Sequence, residues 1–125
     1  MTVVDTTEPQ PWAWWEARRL RYNLGLVVAG ALGFVIEATA LVLWASAAPN
    51  WVWLILFQGL IYLLYMLGAN LLYLLGAAVE GLLRPSPAAT YRNAAFALGC
   101  AAAWGVPVLA SLFLFTAAGW GANVG

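Results

Sequence analysis

Polar side chains recur along one face of the second long apolar segment of this 125-residue chain. They are Gln58, Tyr62, Tyr65, Tyr73 and Glu80. At about 100° per residue, these positions fall within one helical sector about 80° wide, and the rest of the segment is mainly Leu, Ile, Val and Phe. We therefore expect this face, called the polar stripe below, to contact protein or water rather than hydrocarbon.

An amide, phenols and a carboxylate allow the stripe two kinds of chemistry. In one interpretation it is an interhelical seam, in which each phenol donates a hydrogen bond to the backbone of a neighbouring helix. In the other it lines a pore or a water-filled cavity. The sequence leaves both interpretations open.

Glu37 is the one ionisable residue far from either end of an apolar segment. A carboxylate at the centre of a bilayer costs about 2.5–3.5 kcal/mol on insertion scales, so it needs a partner, a wet cavity or a proton. Gly30 and Gly33 lie on its helical face and allow another helix to approach closely. We expect Glu37 to face the protein interior and to bond Gln58, Tyr62 or its own copy in a neighbouring subunit. Its role is then structural, or that of a gate or ion site.

Arginines and aromatic residues crowd the starts of the first and third apolar segments. This set, called the aromatic–arginine rim below, comprises Trp14, Trp15, Arg18, Arg19, Arg21, Tyr22 and Arg92. One interpretation is an interfacial anchor, in which Trp lies at headgroup level and Arg pairs with anionic lipid. The other is a binding rim for an anion, including a single-stranded oligonucleotide whose bases stack on the aromatic rings.

Composition argues against most enzymes. The chain has no histidine, and its acidic residues are not clustered as metal ligands, so we expect no catalytic residue, no metal and no cofactor. Its single cysteine, Cys100, excludes an intrachain disulfide. Charged residues make up 8% of the chain, against about 25% in soluble domains, so a membrane protein is expected.

Three apolar segments are long enough to cross a bilayer as helices. They predict an all-α membrane protein with spans over about 24–47, 51–79 and 94–118. Residues 1–23 are expected to form a cytoplasmic arm with an interfacial segment, and 80–93 a cytoplasmic link. We expect one membrane domain over 1–125.

The arginines predict the orientation of the spans. All five basic residues precede the first span or lie between the second and third. Because basic flanks are retained in the cytoplasm, the N-terminus is expected in the cytoplasm and the C-terminus outside, in a bacterial inner membrane.

Small residues at spacing four mark contact faces on each span. Such faces contain Gly25, Ala29 and Gly33 on the first span, Gly68 and Gly76 on the second, and Ala95, Gly99 and Ala103 on the third. They favour a homo-oligomer; the alternative is that they only seal the interior of one chain.

The opening segment carries a resemblance. Residues 14–23, with the pattern W-W-E-x-R-R-x-x-Y-N, resemble the start of small bacterial membrane proteins, some of which are similar to membrane effectors of anti-phage systems of the Hailong type. In that type, single-stranded DNA oligomers made by a partner nucleotidyltransferase hold a tetrameric channel closed. The resemblance implies an oligonucleotide ligand for the aromatic–arginine rim.

The expected function is therefore that of a homo-oligomeric, channel-like or membrane-permeabilising protein, gated by an anionic ligand at the rim. The alternative is a non-conducting assembly or accessory subunit of a larger membrane complex, which requires only the same helix faces and the lipid anchor.

Overall fold

Three long helices form the protein in a computed structural model that describes residues 10–45 and 47–124. They are α1 (Pro11–Trp44), α2 (Trp51–Leu83) and α3 (Ala88–Val124). Each is long and apolar enough to cross a membrane. The prediction of an all-helical fold with three such helices is confirmed.

The helices extend beyond the segments expected to span the bilayer. α1 begins at Pro11, where proline suits the first turn of a helix, so residues 11–23 of the expected arm are helical. Residues 1–9 of that arm lie outside the described residues. With 34 residues, α1 is about 51 Å long, against a hydrocarbon core of about 30 Å. The six rim residues from Trp14 to Tyr22 therefore lie on the first turns of a continuous helix.

Local signals in the sequence explain where α2 starts and ends. The Asn50 side chain accepts a hydrogen bond from the Trp53 backbone N–H at 3.1 Å and so caps the first turn. At the other end, Arg84 adopts a left-handed conformation with φ of 45° and closes the helix. A short link through Ser86 then leads into α3 at Ala88.

Helix α1 lies against both other helices. It runs antiparallel to α2 and parallel to α3, and it packs most extensively against α3. Helices α2 and α3 touch less, so a groove between them is floored by α1 side chains such as Trp15 and Tyr22. All five arginines lie at one end of this bundle, called the arginine end below.

Glycines of α1 receive aromatic rings from its neighbours. A Cβ at Gly25 would overlap the Trp104 ring of α3, and one at Gly30 would overlap the Tyr62 ring of α2. The contact face expected on α1 is therefore occupied within one chain. By contrast, a Cβ at Gly68 of α2 or Gly99 of α3 would meet nothing within 4 Å.

Candidate functional site

Phenols of the polar stripe donate hydrogen bonds to the backbones of neighbouring helices. The Tyr62 hydroxyl donates to the Leu26 carbonyl of α1. The Tyr73 hydroxyl donates to the Trp15 carbonyl of α1 at 2.5 Å. Each phenol thus ties α2 to another helix while its ring covers apolar surface. This geometry is that of a seam inside one chain.

Tyr65 makes the third of these bonds, at a position that a proline dictates. Pro107 has no N–H, so it cannot donate to the Ala103 carbonyl four residues earlier. The Tyr65 hydroxyl donates to that carbonyl at 2.9 Å. In a membrane, a freed carbonyl needs such a donor from a neighbouring helix. The phenol of α2 therefore makes the proline in α3 tolerable.

An amide pair, absent from the predicted site, extends the seam. Asn70 of α2 donates to the Asn23 side chain at 2.8 Å, and Asn23 donates back to Asn70 at 3.1 Å. Beside them the Tyr22 hydroxyl donates to the Ala69 carbonyl at 3.0 Å. The sequence could have predicted this pair, because Asn23 and Asn70 lie at similar distances from the arginine end on two antiparallel helices.

Glu80 ends the stripe in a buried charge cluster. Its Oε1 accepts from Arg92 Nε at 2.6 Å, and its Oε2 accepts from Trp15 Nε1 at 2.7 Å. The Glu80 and Arg92 side chains are 3% and 7% exposed. Glu80 therefore joins the three helices within one chain, and the expectation that it lines a pore has no support in these contacts.

The aromatic–arginine rim divides into an interior and a surface part. Trp15, Tyr22 and Arg92 are buried and engaged with other helices, so they are part of the bundle core. The rest remain partly or fully accessible: Trp14, Arg18, Arg19 and Arg21. Among the rim residues, these four are the ones that offer a surface to a lipid headgroup or an oligonucleotide.

Two arginines of this surface are themselves held by neighbours. The Arg18 guanidinium lies 3.8 Å from the centre of the Trp14 ring and donates to the Trp14 carbonyl at 3.2 Å. Arg19 pairs with Glu16 at 3.2 Å. At the surface part of the rim, Arg18 therefore stacks on Trp14 and Arg19 pairs with Glu16.

Glu37 faces the interior, as expected, but bonds a different partner. Its Oε1 accepts from the Ser111 hydroxyl of α3 at 2.7 Å, and neither Gln58 nor Tyr62 bonds it. The two partners expected on α2 do not bond it, because α1 packs mainly against α3. A bond to the Glu37 of a neighbouring subunit stays a prediction. Gly33 makes the contact possible, since a Cβ there would lie 2.9 Å from the Ser111 oxygen.

Glu37 and Ser111 line a cavity of about 510 Å³ in the half of the bundle away from the arginines. Gln58 and Tyr62 line the same cavity from α2. Gln58 makes no side-chain hydrogen bond with the described residues. The structure therefore brings Glu37, Gln58 and Tyr62 to one cavity and leaves Tyr73 and Glu80 in the packed arginine end.

The groove between α2 and α3 is the larger concavity, with a volume of about 710 Å³. Its walls are mostly apolar, and small residues line both sides. They are Gly68, Ala69 and Gly76 on α2, and Ala95, Gly99, Ala102 and Ala103 on α3. Larger side chains also line the groove, among them Trp15, Tyr65, Tyr73 and Phe96.

Comparison with known proteins gives no relative from which a role can be transferred. No protein family, curated protein or solved structure matches the chain.

Proposed function

We propose that this chain is a non-enzymatic, multi-pass membrane protein that acts by associating with further copies of itself. The groove between α2 and α3 carries this proposal, because small residues line part of it and a Cβ at Gly68 or Gly99 would meet no described atom within 4 Å. The three helices of the chain span a bacterial inner membrane, and the arginine end lies in the cytoplasm.

The physical reason lies in how helices associate in lipid. Apolar surface gains little by moving from lipid to protein, so association depends on close packing and hydrogen bonds. Gly25 and Gly30 are already covered by rings of the same chain, whereas Gly68 and Gly99 are open. A helix of a second copy would gain close backbone contact in this groove that lipid tails do not supply.

The polar stripe is a poor alternative for that contact. The Tyr62, Tyr65 and Tyr73 hydroxyls already donate within the chain. Breaking these bonds to face another copy would leave buried polar groups without partners. The stripe therefore supports the stability of one chain, and the groove supports association.

Co-expression of two differently tagged copies tests the proposal. We expect one copy to capture the other from solubilised membranes. Replacing Gly68 and Gly99 together by Leu should abolish capture, because the new side chains project into the groove from positions where a Cβ meets no described atom within 4 Å. Gly105→Leu is the matched control: Gly105 also lies in open space but does not line the groove.

Two results would contradict self-association. One is the absence of capture by the unaltered chain. The other is capture that survives the groove substitutions. If the unaltered chain instead arrives in constant stoichiometry with a different membrane protein, it is an accessory subunit of a larger complex.

A channel-like homo-oligomer is the second candidate. The Glu37 cavity favours it, because that cavity holds polar groups with unused hydrogen-bonding capacity in the apolar half of the bundle. An anionic gate such as single-stranded DNA would contact Arg18, Arg19 and Arg21 at the surface part of the rim. Reconstituted protein that never conducts, with Glu37 intact or replaced by Gln, would remove this candidate.

A further inference from the structure

Glu37 lies far from every arginine of the chain. The nearest arginine along α1 is Arg21, which the helical rise places about 24 Å away. The other arginines also lie at the arginine end. A carboxylate at this depth, with a single hydroxyl as its donor, is expensive without a compensating positive charge.

The oxygen atoms around the cavity suit a hard cation. Ser111 engages Oε1 of Glu37, and no described side chain donates to Oε2. No buried side-chain polar atom of the described residues lacks a partner, so Oε2 and the Gln58 amide are open to the cavity. Carboxylate, amide and hydroxyl oxygens are the ligands that hard cations prefer.

We propose that Glu37, Ser111 and Gln58 bind one monovalent alkali cation, of which sodium is the physiological example, in the cavity between α1, α2 and α3. A single carboxylate balances a single positive charge, which favours a monovalent ion over a divalent one. Glu37 supplies the charge, Ser111 orients the carboxylate, and Gln58 supplies an oxygen from the opposite wall. This site is independent of self-association in the groove.

Labelling by a hydrophobic carbodiimide tests the site in reconstituted protein. We expect Glu37 to be modified in choline chloride and protected as NaCl replaces choline at constant ionic strength and pH. Gln58→Leu should raise the NaCl concentration needed for half-protection by about tenfold or more, as loss of a supporting ligand does in other metal sites. Mass spectrometry of the modified peptide separates Glu37 from Glu16 and Glu80.

Direct binding supplies a second measurement that does not depend on labelling. Equilibrium dialysis with radioactive sodium should show binding to the unaltered chain and loss of binding in Glu37→Gln, with circular dichroism confirming that the variant keeps its helices. Labelling that is equal in both salts would overturn the proposal and leave a proton as the balancing charge. Protection unchanged by Gln58→Leu, or sodium binding retained in Glu37→Gln, would also overturn it.

Discussion

At the scale of single residues, the arginine end depends on one buried ion pair. The Glu80 carboxylate is shared by Arg92 of α3 and Trp15 of α1. Removing Arg92 would leave the buried Glu80 carboxylate without its cation, whereas removing both side chains removes both buried charges. The pair therefore acts as a unit.

Substitutions at the pair are expected to be strongly non-additive. Arg92→Leu alone should lower the free energy of unfolding by about 3–5 kcal/mol, and Glu80→Leu alone should also destabilise the bundle. The double variant should lose clearly less than the sum of the two. Unfolding followed by circular dichroism in one detergent measures all three.

The exposed pair of Glu16 and Arg19 is the control for this cycle. Its side chains are 48% and 35% exposed, so Glu16→Gln should change stability by less than about 1 kcal/mol. If the losses of unfolding free energy in the two single variants add up to that of the double variant, Glu80 and Arg92 do not act as a buried pair.

A second residue-scale prediction concerns Tyr65 and Pro107. Tyr65→Phe leaves the proline-freed Ala103 carbonyl without a donor and should cost about 1–3 kcal/mol. In a Pro107→Ala background the new N–H serves that carbonyl, so the same substitution should cost less. Denaturant unfolding of the unaltered chain, the two single variants and the double variant gives the coupling free energy between Tyr65 and Pro107.

Tyr22→Phe provides the comparison for this second cycle, because the Tyr22 hydroxyl bonds the Ala69 carbonyl of a helix without proline. Its cost should be the same in both backgrounds. If Tyr65→Phe also costs the same in both, Tyr65 does not replace the missing donor.

At the scale of elements, glycines divide into those that receive a ring and those that do not. Gly25→Ala should force the Trp104 ring away from α1 and destabilise the bundle by about 1–3 kcal/mol. Gly99→Ala meets no atom and should be neutral or gain up to about 1 kcal/mol from helix propensity. Thermal unfolding of both variants checks this contrast, and equal losses would contradict the packing of α1 on α3.

Much of the helical framework was predictable because local signals specify it. Apolar length predicted the three helices, and the second apolar segment, which begins at residue 51, predicted the start of α2. The start of α1 was missed because a Trp- and Arg-rich stretch reads equally well as an interfacial segment or as a helix.

Pairing between helices was less predictable than the helices themselves. The period of the polar stripe marked a sheltered face, and the phenols do contact neighbouring helices. The partner of Glu37 and the Glu80–Arg92 pair depend on which helices lie closest, and spacing along one helix does not determine that. The spacing of residues along one helix shows which face is sheltered, but it does not show which helix packs against that face.

At the scale of the whole molecule, the arginine end should determine orientation. With that end in the cytoplasm, a reporter after Val124 lies outside the cytoplasm and one placed after Ser86 lies inside. We expect a C-terminal alkaline phosphatase fusion to be active and a C-terminal green fluorescent protein fusion to be dark. Fusions after Ser86 are the control and should behave in the opposite way. A bright C-terminal fusion would contradict this orientation.

The phenols of the stripe bond within one chain, and the groove stays open. We therefore expect the chain to fold as a single bundle and to function as an assembly of several copies. Mass measurement of particles extracted directly into nanodiscs tests it most directly. We expect a protein mass that is a multiple of the 13.4 kDa chain and that falls to a single chain when Gly68 and Gly99 are replaced by Leu. A single 13.4 kDa chain in unaltered particles would contradict the claim.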